Sequence, residues 1–135
     1  ASTLDELFGE ENLSITYTGA EIAANYMEGG YYSLDAENGK TFVIVGIDIT
    51  NSGADEIAVD NFAKTPKFSV MVNGQEKAEE ENTILPSDFA LYQETVPAGA
   101  TENTILLFQV PDSVTSVDSL DLFVNISGTN YQITL

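Results

Sequence analysis

Carboxylates are the side chains with the most chemistry to offer in this sequence. The 135 residues hold 22 Asp and Glu against 4 Lys, with no Arg, His, Cys or Trp, for a formal charge of −18. Paired carboxylates do general acid and base work on glycosidic bonds when they stand about 5–5.5 Å or about 6.5–9.5 Å apart. With so many acids, chance pairs at those separations are certain, so a pair alone points nowhere. A His-based triad, a Cys nucleophile, Zn–Cys and Zn–His centres and arginine clamps are closed to this chain. Calcium is the more serious use of acid, because Ca²⁺ takes six to eight oxygen ligands. Asp35-Ala36-Glu37-Asn38-Gly39 has the alternating oxygens and the Gly of a partial calcium loop, without the distal bidentate Glu. Asp48, Asp55, Glu56 and Asp60 flank one turn and could converge on an ion. The plain alternative is that all of these are solvated loop acids.

Tyr26, Tyr31 and Tyr32 border Glu28-Gly29-Gly30 and form the best candidate binding surface. A Tyr ring with a wet hydroxyl suits recognition of sugar or protein. The competing reading packs the three rings over an open end of the fold. Glu79-Glu80-Glu81 reads as a solvated edge that blocks sheet-to-sheet pairing, with a basic partner as its functional alternative. Nucleic acid is excluded as a partner: phosphate binding needs clustered cations. Lys40, Lys64, Lys67 and Lys77 are too few and too scattered for that. The same argument disfavours anionic membrane surfaces.

The elements that would position these residues follow from periodicity. Thr3-Leu4-Asp5-Glu6 reads as a capping box with Gly9 as a stop, so residues 1–12 are either a short helix or a tether. From Leu13 the period becomes two. Leu13, Ile15 and Tyr17 alternate with polar residues, and the strand continues past a bulge at Gly19. Residues 27–39 read as a loop rich in Gly and Tyr. Thr41–Thr50 is apolar on both faces at its start, which predicts a central strand. Phe68, Val70 and Val72 lead into Asn73-Gly74, a strong hairpin signal, with a charged return arm to Glu81 as an edge. Phe89, Leu91 and Gln93 open another strand, and Asn103–Val110 reads as a second central one. Asp112–Ser119 has the composition of a turn, with room for a short helical one. Leu120–Ile126 and Tyr131–Leu135 close the chain as a hairpin.

Seven or eight short strands separated by turns imply an all-β antiparallel sandwich or barrel. The length suits one such domain over residues 13–135. An apolar fraction of 43%, with 7 Phe and 6 Tyr, supplies a core despite the charge. No run approaches the roughly 20 apolar residues of a transmembrane helix. No signal peptide is seen, and the opening Ala-Ser-Thr-Leu-Asp has the look of a trimmed mature chain.

Gly39-Lys40-Thr41-Phe42-Val43-Ile44-Val45, with Ile47-Asp48-Ile49-Thr50-Asn51 behind it, is one recurrent segment. Val96-Pro97-Ala98-Gly99 followed by Leu107-Phe108-Gln109-Val110-Pro111 is another, and the Leu120–Leu135 hairpin completes the set. Together, over about residues 13–135, they resemble a family of immunoglobulin-like domains of unknown function in bacterial surface lipoproteins. The secreted immunoglobulin-like mycobacterial antigens are more distantly similar. The resemblance implies an immunoglobulin-like antiparallel β-sandwich, export, and a lipid tether that preceded this chain as its only link to a membrane. Together with the composition, this leads to the expectation of a non-catalytic, monomeric interaction or spacer module with a protein or glycan ligand, and no cofactor. A calcium- or carbohydrate-binding module is the alternative. The family offers no catalytic residues to carry over, and Asn51 most simply caps a loop through its amide.

Overall fold

The computed structural model describes residues 2–135. The chain begins with β1 (Ser2–Thr3), α1 (Leu4–Phe8), β2 (Leu13–Ala23), β3 (Asn25–Glu28) and β4 (Tyr32–Asp35). It continues through β5 (Lys40–Asn51), β6 (Ile57–Asp60), β7 (Lys67–Val72), β8 (Glu76–Glu79) and β9 (Gln93–Val96). It closes with β10 (Thr101–Pro111), β11 (Leu120–Ile126) and β12 (Thr129–Thr134).

Eight of these strands build two sheets. One has the order β10-β5-β2 and the other β1-β12-β11-β7-β8. Every pairing is antiparallel except that of β1 with β12. The order is that of an immunoglobulin-like sandwich, with β2, β5 and β10 in one layer and β7, β11 and β12 in the other. Two accessory pairs, β3–β4 and β6–β9, lie outside the main sheets.

β5 is central, as its two apolar faces require. Val43, Val45, Ile47 and Ile49 enter the main core, where Val70, Val72, Leu122 and Val124 meet them from the other sheet. Phe42 and Ile44 face outward into a second cluster with Leu85 and Leu107, roofed by Tyr26 and Leu34 of the β3–β4 hairpin. At the bulge, the register of β2 on β5 shifts between Tyr17 and Gly19. Thr18 then lies over Gly46, where a Cβ would collide with its hydroxyl.

Thr3 caps α1 by accepting from the Glu6 N–H at 3.1 Å. Leu4 and Phe8 are buried, and Phe8 stacks on Phe68 at 5.7 Å and meets Phe89 edge-on at 5.0 Å. Asp5 accepts from the Ile15 N–H at 2.6 Å, tying the helix to β2. The first residues therefore plug one end of the main core.

Three expectations need correction. Residues 27–39 are not an irregular loop, because the end of β3 pairs there with β4. Asn103–Val110 is not central: β10 is the edge of its sheet, and Glu80 and Asp88 add single bridges to its outer side. Phe89–Leu91 is a single 3₁₀ turn, because Asp88 accepts from the Ala90 N–H and caps it. Strand β9 starts only after it. Asp112–Ser119 holds turns and no helix. Asn73 and Gly74, at φ 54° and 70°, form the tight β7–β8 turn, which Gln75 closes by donating to the Val72 carbonyl at 3.0 Å.

Candidate functional site

The β3–β4 hairpin divides the three tyrosines between two roles. Register places Tyr26 opposite Leu34, on the side that covers Phe42 and Ile44. Its hydroxyl donates to Glu28 Oε1 at 3.0 Å, and the Ser87 hydroxyl donates to the same oxygen. Burial pushes the Tyr26 phenol above its ordinary value. Tyr26 is thus an anchor. Gly29 and Gly30, at φ 61° and 74°, let the chain reverse, and Tyr31 donates its N–H to the Glu28 carbonyl at 3.2 Å. Tyr31 projects from this turn at 92% exposure, beside Met27 at 65% and Tyr32 at 39%. The hairpin tip therefore displays apolar surface on a strut fixed by Tyr26, Glu28 and Ser87.

The acids read as calcium candidates do not converge, and Asp48 and Asp60 are engaged separately. Asp48 lies on β5 opposite Asn103, which donates to it at 2.8 Å. Asp55 and Glu56 lie in the β5–β6 connection. Asp60 ends β6 and accepts from the Ala63 N–H at 3.0 Å and the Gln93 amide at 3.3 Å. Glu37 pairs with Lys40 at 3.5 Å. Among the described residues, no three Asp or Glu side chains gather in an arrangement that would hold a metal ion. Asn51 is fully buried in the loop-capping role: it donates to the Asp55 and Val96 carbonyls at 2.7 and 3.1 Å and accepts from the Gly53 N–H at 2.9 Å.

The Glu79–Glu81 run is not a uniformly solvated edge. Glu79 is exposed, but the alternation of β8 turns Glu80 inward behind Ala78. The Glu80 and Glu81 N–H groups donate to the Phe68 and Leu107 carbonyls, so the chain here crosses from one sheet to the other. Glu80 meets Asp88, itself 1% exposed, whose oxygens already accept from the Ala90 N–H and, at 2.7 Å, the Thr83 hydroxyl. Burial, then the charge and hydrogen bond of Asp88, then the charge of Glu81 push the Glu80 carboxyl up to about 10. Glu80 is therefore a neutral acid at ordinary pH. A protonated carboxyl beside a second carboxyl is acid–base chemistry in principle, but both oxygens of Asp88 already accept, one from the Ala90 N–H and one from the Thr83 hydroxyl. The signal in the sequence is the in–out alternation of Ala78, Glu79 and Glu80. Nearby, burial and then Glu102 and Glu94 push the Tyr92 phenol up to about 12.

No protein-family model and no curated protein matches the chain. Solved structures do. An uncharacterized β-sandwich protein from Clostridium difficile superposes with a TM-score of 0.54 at 19% identity, over 92% of this chain and 85% of that one. The yjhA protein from Bacillus subtilis gives 0.49 at 15% identity, over 92% of each chain. A candidate lipoprotein from the same species gives 0.44 at 11% identity, over 91% of this chain and 36% of that one. The Clostridium protein supports the sandwich fold. Among the described residues, no helix is long and apolar enough to cross a membrane.

Proposed function

We propose that this chain is a non-catalytic, extracytoplasmic interaction module of a bacterial surface protein, and that the β3–β4 tip is its contact point for a protein ligand with a cationic surface. The observation that carries this reading is the exposure of Tyr31 and Met27 on a hairpin whose own base is anchored. Exposed aromatic and Met side chains on a fixed support favour binding, because little further ordering is needed on association. The charge of −18 suits a basic partner by steering the encounter.

The test titrates labelled protein onto washed Gram-positive cells, untreated or shaved with trypsin. Saturable binding is expected, lost on shaving and weakened by salt. The double substitution Tyr31→Ala with Tyr32→Ala should weaken it about tenfold or more, equivalent to about 1.4 kcal/mol, with no change in melting temperature. Absence of saturable binding, or binding indifferent to the double substitution, overturns the reading. A melting temperature lowered by several degrees would instead give the two rings a packing role.

A further inference from the structure

The outer face of the β12-β11-β7-β8 sheet differs from the rest of the surface. Its central row runs Gln132, Phe123, Ser69 and Glu79 across the four strands. One row beside it is Asn130, Asn125 and Lys67; the other is Asp121, Met71 and Lys77. The neighbours of these residues along each strand, including Phe68, Val70, Leu122 and Val124, are buried between the sheets, so the register fixes the ten side chains on the outside.

Two features of this face bear on a ligand. The first is charge. Lys67 and Lys77 balance Glu79 and Asp121, so the face is neutral in a chain of −18, and it holds two of the four lysines. A polyanion meets no net attraction here, and a polycation would be drawn to the acids elsewhere. The second is shape. Two adjoining grooves of about 590 and 540 Å³ run across the face and share Ser69, Glu79, Phe123 and Asn130. These volumes lie in the range of small-ligand sites. Phe123 is a half-buried ring at their junction. Around it stand amides, which both donate and accept. Asn125 is already oriented, donating to Asn130 at 2.8 Å and accepting from the Gly128 N–H at 3.2 Å. With Phe123 and Met71 as its only large apolar groups, the face is too polar for the apolar centre of a permanent protein interface.

We propose that this face is a binding site for a neutral oligosaccharide, with a sugar ring laid on Phe123 and its hydroxyls bridged by the amides of Asn125, Asn130 and Gln132. A pyranose presents an apolar C–H face and a rim of vicinal hydroxyls. A ring flanked by groups that donate and accept matches both. The site is separate from the β3–β4 tip, so either reading can fail alone.

The test follows backbone amide signals of the whole chain while cellotetraose, chitotetraose, maltotetraose and mannotetraose are each added to about 10 mM, above the millimolar range of weak single-site binding. At least one is expected to give saturable shifts at Ser69, Phe123 and Asn125. Phe123→Ala and, separately, Gln132→Ala should weaken it about tenfold and about threefold, and Tyr31→Ala should leave it unchanged. Gln132 is exposed, so its variant keeps the test decisive should Phe123→Ala lose stability. No saturable shift with any of the four overturns the proposal. So does binding unaffected by both face variants, or concentration-dependent shifts on the same face without sugar, which would make it a contact between copies of the chain.

Discussion

Glu80 and Asp88 bring two carboxyls together at the point where the chain passes from one sheet to the other, and Oε2 of Glu80 is buried there without a hydrogen-bond partner among the described residues. The pair sets the end of β8 against the cap of the turn at Phe89–Leu91. On its far side, Ser87 holds Glu28 of the display hairpin. The strap between Glu80 and Leu91 therefore carries the second core, through Leu85, and the base of the candidate contact surface.

The pair makes stability fall with rising pH. Glu80 titrates near its usual 4.5 when unfolded and at about 10 when folded. Between these values the folded state binds the extra proton. Its stabilising contribution is full below about 4.5 and is lost as pH rises toward 10. The chain has no His or Cys to add a titration between about pH 6 and 9. Urea denaturation across that window should show a loss of up to about 1.4 kcal/mol per pH unit. Glu80→Gln keeps a donor toward Asp88 and should flatten the slope. A wild-type protein with no slope, or a variant with the same one, would refute the proton-sharing pair.

Asp88→Ala removes the acceptor of two groups at once, the Thr83 hydroxyl and the Ala90 N–H. Buried donors left without partners cost about 1–3 kcal/mol each before relaxation, so a loss of about 3 kcal/mol is expected. Hydrogen exchange should localise the damage. The amide of Ile105, which donates to the Ser87 carbonyl, should lose protection while those of β11 and β12 keep theirs. Uniform loss of protection would mean the strap is not a separable unit.

Asn51→Ala should cost about 2–4 kcal/mol, because it strands the Asp55 and Val96 carbonyls and the Gly53 N–H. Asn51→Asp should be no better at neutral pH, since a carboxylate cannot donate to two carbonyls. Chemical denaturation of both variants checks this. A near-neutral Asn51→Asp would show that the amide's donor role is unimportant.

What the sequence revealed tracks how far apart the determining residues lie. Val43, Val45, Ile47 and Ile49 report a strand face by themselves, and Asn73-Gly74 reports its turn, because period and turn chemistry are local. Asn51 was legible for the same reason: two of the three hydrogen bonds of its amide lie within four residues. Phe89 misled because Phe89, Leu91 and Gln93 keep period two, while the decisive residue, Asp88, acts as a cap just before them. Tyr26 and Tyr31 looked alike in the sequence. Only the pairing of β3 with β4 sends one onto Phe42 and the other into solvent. The neutral face around Phe123 was invisible, because it needs the register between two hairpins, β7–β8 and β11–β12, that are far apart in the chain.

Phe8→Ala decides what the first residues do. Phe8 packs against both Phe68 and Phe89 and has Lys64 Nζ 5.1 Å from its ring centre. Truncating a buried Phe costs about 3–5 kcal/mol, with a melting temperature lowered by many degrees. Residues serving only as a tether would give a change within about 0.5 kcal/mol. Thermal melts of Phe8→Ala and of the capping variant Thr3→Ala, expected to lose about 1 kcal/mol, separate the two roles.

Thermal melts in Ca²⁺, in Mg²⁺ and in NaCl at matched ionic strength test what the acid does. The three salts should raise the melting temperature nearly equally, because screening relieves the self-repulsion of −18 whatever ion supplies it. Asp48 and Asp60 are held by Asn103 and Gln93 on different strands, and the described residues bring no third acid to either. A specific ion binding only the folded state would instead add about 2.7 kcal/mol at a hundredfold excess over its Kd. A rise with Ca²⁺ well beyond those with Mg²⁺ and NaCl would revive the calcium reading. It would also require Asp55 or Glu56 to move toward one of these carboxylates on binding, a displacement that amide shifts in the β5–β6 connection would report.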